Sequence, residues 1–247
     1  IAGKQEYHHS QVGVLHYQKT VEMAARYQIM LNIHEPIKGT GIERTYPNIL
    51  TREGAKGQEY EGGKIRLNHA TILPFTRMLA GAFDYTPGIF DLSNPAKRVY
   101  TTLARQLAFY VIFYSGMQML ADRPEVYDKY PKVFEFLKEV PVNWQTTIPL
   151  LGKIGEYFVV ARQDRDSSDW YIGGVTNEFA RRVNLNLEFL EDGIKYTAYI
   201  YRDGGAADYR ENPLDIEVEK RVIDKTELLD IWLAAGGGFA IRLVRGY

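Results

Sequence analysis

The chain has 247 residues, 45% hydrophobic and 25% charged, which is enough apolar material for one large or two modest globular domains. A formal net charge of -1 gives no electrostatic case for nucleic acid or an anionic membrane surface, and the longest apolar run, residues 107–114, is far too short to span a bilayer. With no cysteine, disulfides and thiolate metal sites are excluded.

The opening residues Ile1, Ala2, Gly3 and Lys4 carry no methionine and no amphipathic lead-in, so the chain reads as the C-terminal part of a longer polypeptide. Ser10 is a helix cap for a helix running to about Tyr27, with Val14, Val21, Ala24 and Ala25 on its inner face. Residues 29–33 read as a short buried strand that delivers His34 and Glu35 at its C-terminal end, where Pro36 and Gly39 break the chain. Residues 69–73, closed by Pro74, are a second strand candidate. Asn94-Pro95 is a helix start, and Val99, Leu103, Leu107, Tyr110, Tyr114, Met117 and Ala121 form one apolar stripe on the long helix that follows. Arg123-Pro124 ends it, and a short helix over residues 126–137 comes next.

From about Trp144 the period changes to two. Residues 157–160, 170–172, 183–189, 196–201, 216–222, 228–233 and 239–243 read as strands, with turns at Asp192-Gly193, Asp203-Gly204 and Gly236-Gly237-Gly238. The glycine run is a turn and not a phosphate loop, because no Lys-Ser/Thr and no helix follow it. This spacing predicts an antiparallel β-sandwich over residues 141–247, with Val140-Pro141 at the boundary. Residues 1–140 read as the C-terminal part of a (β/α)8 barrel, too short to close one that typically needs about 250 residues. Half a barrel is expected to expose apolar faces such as the stripe of residues 99–121, and to be oligomeric or bound to its missing half.

The loop after the first strand carries Glu35, Glu53 and Glu59 together with Arg44 in a turn-rich stretch. Paired carboxylates are what glycosidic cleavage needs, and clustered ones are what calcium needs. On residue types alone, solvated loop charges are the better account of them. Tyr46, Tyr60 and Tyr85 are candidates for stacking on a sugar ring or for ordinary core packing, and Asp84 is a candidate brace for the last strand-end loop.

The chain resembles glycoside hydrolase family 97. The resemblance is carried by Asn32-Ile33-His34-Glu35, Gly41 with Arg44-Thr45-Tyr46-Pro47-Asn48, and Glu53-Gly54 with Gly57 and Glu59-Tyr60. It continues through Leu73-Pro74-Phe75-Thr76-Arg77, Asp84-Tyr85-Thr86-Pro87-Gly88, Gly155-Glu156-Tyr157, Trp170-Tyr171-Ile172-Gly173, Tyr201-Arg202-Asp203-Gly204 and the Gly236 run. It implies an N-terminal β-sandwich, a catalytic barrel and a C-terminal β domain, of which this chain holds the last parts. It also implies Glu59 as general acid, Glu35 as general base, and Glu35, Glu53 and Glu59 as calcium ligands, with His34 toward the sugar. By residue chemistry Arg44 and Tyr60 are further substrate-binding candidates, although orienting a carboxylate is the favoured role for Arg44. Retaining members lack the Glu after the strand-end His and use an Asp on an earlier strand. Glu35 therefore points to a calcium-dependent inverting α-glucosidase acting on malto-oligosaccharides, with Glu59 kept protonated in a partly buried setting. The alternatives are a retaining α-galactosidase of the same family and a non-catalytic carbohydrate-binding fragment. The expected partners are an oligosaccharide and the rest of the polypeptide or a second chain, with neither nucleic acid nor membrane insertion. The resemblance implies a periplasmic home.

Overall fold

The computed structural model describes residues 9–60, 65–92 and 99–246. Helix α1, Gln11–Arg26, starts where the Ser10 hydroxyl accepts from the Gly13 amide, and it buries Val21 and Ala24. Strand β1, Leu31–Ile33, is shorter than expected and only half-buried, because the Ile29 amide still bonds back to Ala24 O at the end of α1, after a left-handed Gln28. Its partner is not at residues 69–73. It is β2, Ile49–Arg52, which pairs with β1 in parallel. Residues 69–73 instead form helix α2, His69–Ile72, followed by a 3-10 turn with Pro74 in its first turn. Short apolar runs do not distinguish strand from helix, and here proline starts a turn rather than ending a strand.

The expected long helix is also corrected. Helix α3 covers only Leu103–Ile112 and begins at Thr102, whose hydroxyl accepts from the Arg105 amide. The chain is extended by Phe113 and runs irregularly through residues 113–121, where the Gln118 amide bonds back to Phe113 O. The Asn94-Pro95 start lies outside the described residues. Two short helices follow in place of one: α4, Pro124–Tyr127, and α5, Pro131–Glu139, each opened by its proline.

The remaining strands are β3 (Trp144–Lys153), β4 (Tyr157–Asp164), β5 (Trp170–Thr176), β6 (Arg181–Asn186), β7 (Tyr196–Asp203), β8 (Ile216–Ile223), β9 (Leu228–Leu233) and β10 (Gly238–Arg245). They form an antiparallel six-stranded sheet in the order β3-β4-β5-β10-β7-β8 and a two-stranded layer, β6-β9. Pro149 sits in edge strand β3 beside a register shift, a place that tolerates a missing amide donor. Alternation divides the sheet's two faces. Ile172, Ile200, Phe239 and Ile241 face Val183, Leu185, Leu229 and Ile231 of the small layer.

The opposite face, with Val160, Tyr171, Val175 and Ala240, is covered by α3, and Tyr85 packs on the Phe109 and Phe113 rings in the same core. All ten residues of α3 are buried. The part of the expected stripe that lies in α3, Leu103, Leu107 and Tyr110, is therefore roofed by the sheet, whereas Tyr114 is exposed, and one core runs across position 140. Exposed apolar side chains gather elsewhere, at Val12, Leu15, Met23, Tyr27, Ile29 and Met30 on and just after α1. Among the described residues no helix is long and apolar enough to cross a membrane.

Helix and sheet approach closely at Gly173, where a Cβ would lie 2.8 Å from Val111 Cβ and 2.9 Å from Ala108 O. Backbone and Cβ atoms cannot swing aside, so Gly173→Ala is expected to destabilise the protein by about 1–3 kcal/mol in urea unfolding. Gly205→Ala, with nothing within 4 Å of its Cβ, is the control and should show no loss of that size.

Candidate active site

The site lies where β1 and β2 end. The amide of Glu53, just past β2, donates to Ile33 O at 2.9 Å, and the Asp84 amide donates to Arg52 O at 3.1 Å. Segment 83–85 thus runs beside the end of β2 and brings Asp84 under His34. Asp84 is fully buried. Its Oδ2 accepts from Asn32 Nδ2 at 2.6 Å and lies 2.7 Å from His34 Nε2, while its Oδ1 accepts from the Thr86 amide at 2.9 Å. The other ring nitrogen, His34 Nδ1, faces Glu59 Oε2 at 3.4 Å. Asp84, His34 and Glu59 form a line from the core to the surface.

Electrostatics follow the same line. Burial alone lowers the His34 pKa, but the Asp84 hydrogen bond and charge, with the charges of Glu53 and Glu59, raise it above its ordinary value. Glu53 and Glu59 are therefore both within electrostatic reach of His34. The Glu53 carboxylate also accepts from the Glu35 backbone amide at 3.2 Å. Glu35 itself has φ 50, a left-handed conformation that costs a non-glycine residue free energy and that the Glu53 contact supports.

Two arginines hold this ground. Arg77 donates to Glu53 O, Arg52 O and Ala82 O, each at 2.9 Å, and its guanidinium lies over the Phe83 ring. Burial pushes its pKa down to about 10, still charged at neutral pH. Arg52 donates to Ala80 O at 3.1 Å. Arg44, the expected guanidinium, is exposed at the end of a 3-10 turn, Ile42–Arg44.

The structure brings His34, Glu53 and Glu59 together and leaves Glu35 beside them, pointing outward. Glu59 was expected to be partly buried, yet its side chain is 58% exposed. Tyr60 is exposed, with the Lys56 ammonium 4.2 Å from its ring centroid, whereas Tyr85 is buried in the core against Phe109 and Phe113. Among the described residues no three His, Asp or Glu side chains gather as metal ligands. Three carboxylates supply at most six oxygens, and that only if each binds through both, so calcium here would need further ligands from elsewhere.

Sequence reasoning passed over Gln58. Its amide donates to Tyr85 O at 2.9 Å, and both polar atoms of its buried side chain lack a hydrogen-bond partner in the protein. Leaving such a group unpaired costs about 1–3 kcal/mol. Its place between Gly57 and the candidate acid Glu59 was the only available signal.

Carboxylic acids at strand ends beside a buffered histidine are the equipment of a glycoside hydrolase. Residues 143–244 match the family model described as "Glycosyl-hydrolase 97 C-terminal, oligomerisation", and residues 4–55 match "Glycoside hydrolase 97". The chain belongs to glycoside hydrolase family 97. It is 36% identical over 239 residues to a retaining α-galactosidase of Bacteroides thetaiotaomicron, covering 91% of this chain and 35% of that protein. A family 97 enzyme of Pseudoalteromonas sp. strain K8, solved with panose, is 44% identical with a TM-score of 0.92 over 97% of this chain and 38% of that one. The same enzyme solved with acarbose gives 45% identity, the same TM-score and the same coverage. The chain thus spans little more than a third of the length of these relatives.

Asp84→Asn should lower the His34 pKa, read by NMR titration of the ring. The raised value also makes His34 stabilising below its unfolded pKa of about 6.5, and that contribution disappears as pH rises through the folded value. The stability difference between the parent and His34→Gln should therefore shrink from pH 5 to pH 9.

Proposed function

We propose that this chain carries the proton-donating side of an α-glycosidase active site and that, within a longer polypeptide, it supplies the last strands of a (β/α)8 barrel. Support for the barrel comes from the parallel β1-β2 pair and from functional side chains placed at the C-terminal ends of those strands. The observation that carries the catalytic reading is the Asp84–His34–Glu59 line.

Glu59 gives its proton to the leaving oxygen. His34, its ring held at Nε2 by Asp84, orients the Glu59 carboxyl through Nδ1. Asn32 and the Thr86 amide hold Asp84, so the ring orientation is set from the core outward.

Of the two substrate readings, the retaining α-galactosidase is the better supported, since the relatives from Bacteroides thetaiotaomicron and Streptomyces bingchenggensis bear that name, the second as a probable one. In it Glu59 protonates the leaving group and its conjugate base then deprotonates the water that releases the sugar, while the nucleophile comes from another part of the polypeptide. The inverting α-glucosidase reading draws on Glu35, with a carboxylate free to activate water, and on the panose and acarbose complexes of the Pseudoalteromonas enzyme. Calcium belongs to this proposal only as an ion completed by ligands from elsewhere in the polypeptide, with Glu35, Glu53 and Glu59 as this chain's share.

In the full-length enzyme, Glu59→Gln should lose about 10²–10⁴-fold in kcat on glycosides with poor leaving groups, and much less on nitrophenyl glycosides, which need no proton. Equal loss on both contradicts the acid assignment. The anomer first released, followed by NMR on nitrophenyl α-galactoside and α-glucoside, separates retention from inversion.

A further inference from the structure

The six-stranded sheet ends on two unlike edges. Strand β3 carries Pro149 and two register shifts, devices that blunt an edge against further pairing. Strand β8, at the other end, has no proline and pairs with β7 over all eight of its residues without a shift. Its outer backbone edge is therefore regular and open to another strand.

The side chains of β8 define which strand fits. The register with β7 divides them between the two faces of the sheet. Val218, Lys220 and Val222 stand opposite Tyr201, Tyr199 and Thr197, on the side of α3 and α5. Glu217, Glu219 and Arg221 stand opposite Arg202, Ile200 and Ala198, on the side of β6-β9. Val218 and Val222 are 43% and 58% exposed, although they belong to a face that holds a core. Val218 also borders a hollow of about 370 Å³ between α5 and the sheet, beside Phe136, Tyr199 and Tyr201. The charges of β8 deter any strand that does not match them.

A second copy of β8 does match them. Laid antiparallel across a two-fold axis perpendicular to the sheet, it sets residues of the same face opposite each other, so the axis must pass through a residue and not between two. With the axis at Lys220, Val218 meets Val222 of the partner subunit and Glu219 meets Arg221 of the partner subunit, each twice over. Within one chain Glu219 already lies 3.6 Å from Arg202 and 3.3 Å from Arg221, so the crossed pairs extend an existing network. Lys220 meets its own copy at the axis, but its ammonium is drawn aside over the Tyr199 ring, 4.9 Å from the centroid. An axis at Glu219 or at Arg221 opposes that residue to itself and sets a valine against Lys220. Apolar contact and charge both select the Lys220 register.

We propose that β8 pairs with β8 of a second copy of this chain in that register, joining two six-stranded sheets into one across a two-fold axis. The family model for residues 143–244 is described by oligomerisation, and the self-complementary strand gives that property a surface and a symmetry.

The test uses the full-length enzyme. Sedimentation should show a dimer, and Val222→Lys should raise its dissociation constant about tenfold, because it removes both valine pairs of the interface. Lys220→Cys reads the register directly: the two copies of this position fall within disulfide reach at the axis, and oxidised glutathione should link them into a covalent dimer. Glu217→Cys is the control, because in this register it stands about 20 Å from its own copy and should stay unlinked. The parent, oxidised in the same way, is the blank. A parent that remains monomeric at about 100 μM, or a dissociation constant unchanged by Val222→Lys, overturns the proposal. So does a dimer in which Lys220→Cys fails to link or links no better than Glu217→Cys.

Discussion

A helix buried on every side has no water for its last carbonyls, and in this protein a charged side chain takes that place. Arg162, on β4, donates from Nε to Val111 O at 2.6 Å and from Nη2 to Ile112 O at 3.1 Å, both at the C-terminus of α3. Burial lowers its pKa to about 10, so the guanidinium keeps its charge at neutral pH and meets the negative end of the helix dipole. Removing it would strand carbonyls and leave a gap between helix and sheet. At the other end Arg105 donates to Thr176 O and Leu67 O, each at 2.7 Å, tying the helix to β5 and to the segment just before α2.

The site depends on that helix through short, named steps. Gln106 accepts from the amides of Gly88 and Ile89, and Tyr114 O accepts from the Phe83 amide. Tyr85 packs its ring on Phe109 and Phe113. These contacts fix segment 83–89, which carries Asp84, and Tyr85 O in turn fixes Gln58 beside Glu59. The β-sheet region and the loops of the candidate site are thus parts of one packed body. A substitution at Gly173 or Arg162, on the sheet and outside those loops, reaches His34 by way of α3.

Much of this was legible in the sequence where one signal dominated. The period-two strands from residue 157 onward appear with ends shifted by up to four residues, and the Ser10 cap and the glycine turn before β10 appear as read, because alternation, capping chemistry and turn residues point the same way there. The signals failed where tertiary context decided. Residues 69–73 suit strand or helix, and a proline settled the matter. The stripe after Val99 has helical spacing beyond Ile112, but the chain leaves the helix at Phe113. The His34–Glu59 neighbourhood was visible as a loop rich in charge. The buried carboxylate of Asp84 that organises it stands 50 residues from His34, a separation no local pattern reports.

Native-state hydrogen exchange tests the central claim most directly, that α3 joins the sheet and the candidate-site loops into one cooperative unit. The amides of α3, of β5 and of the Arg52–Asp84 neighbourhood should become exchangeable only through a common opening with one free energy and one denaturant dependence. Exchange of α3 and the Asp84 segment through a lower-energy opening, with the six-stranded sheet still protected, would contradict it.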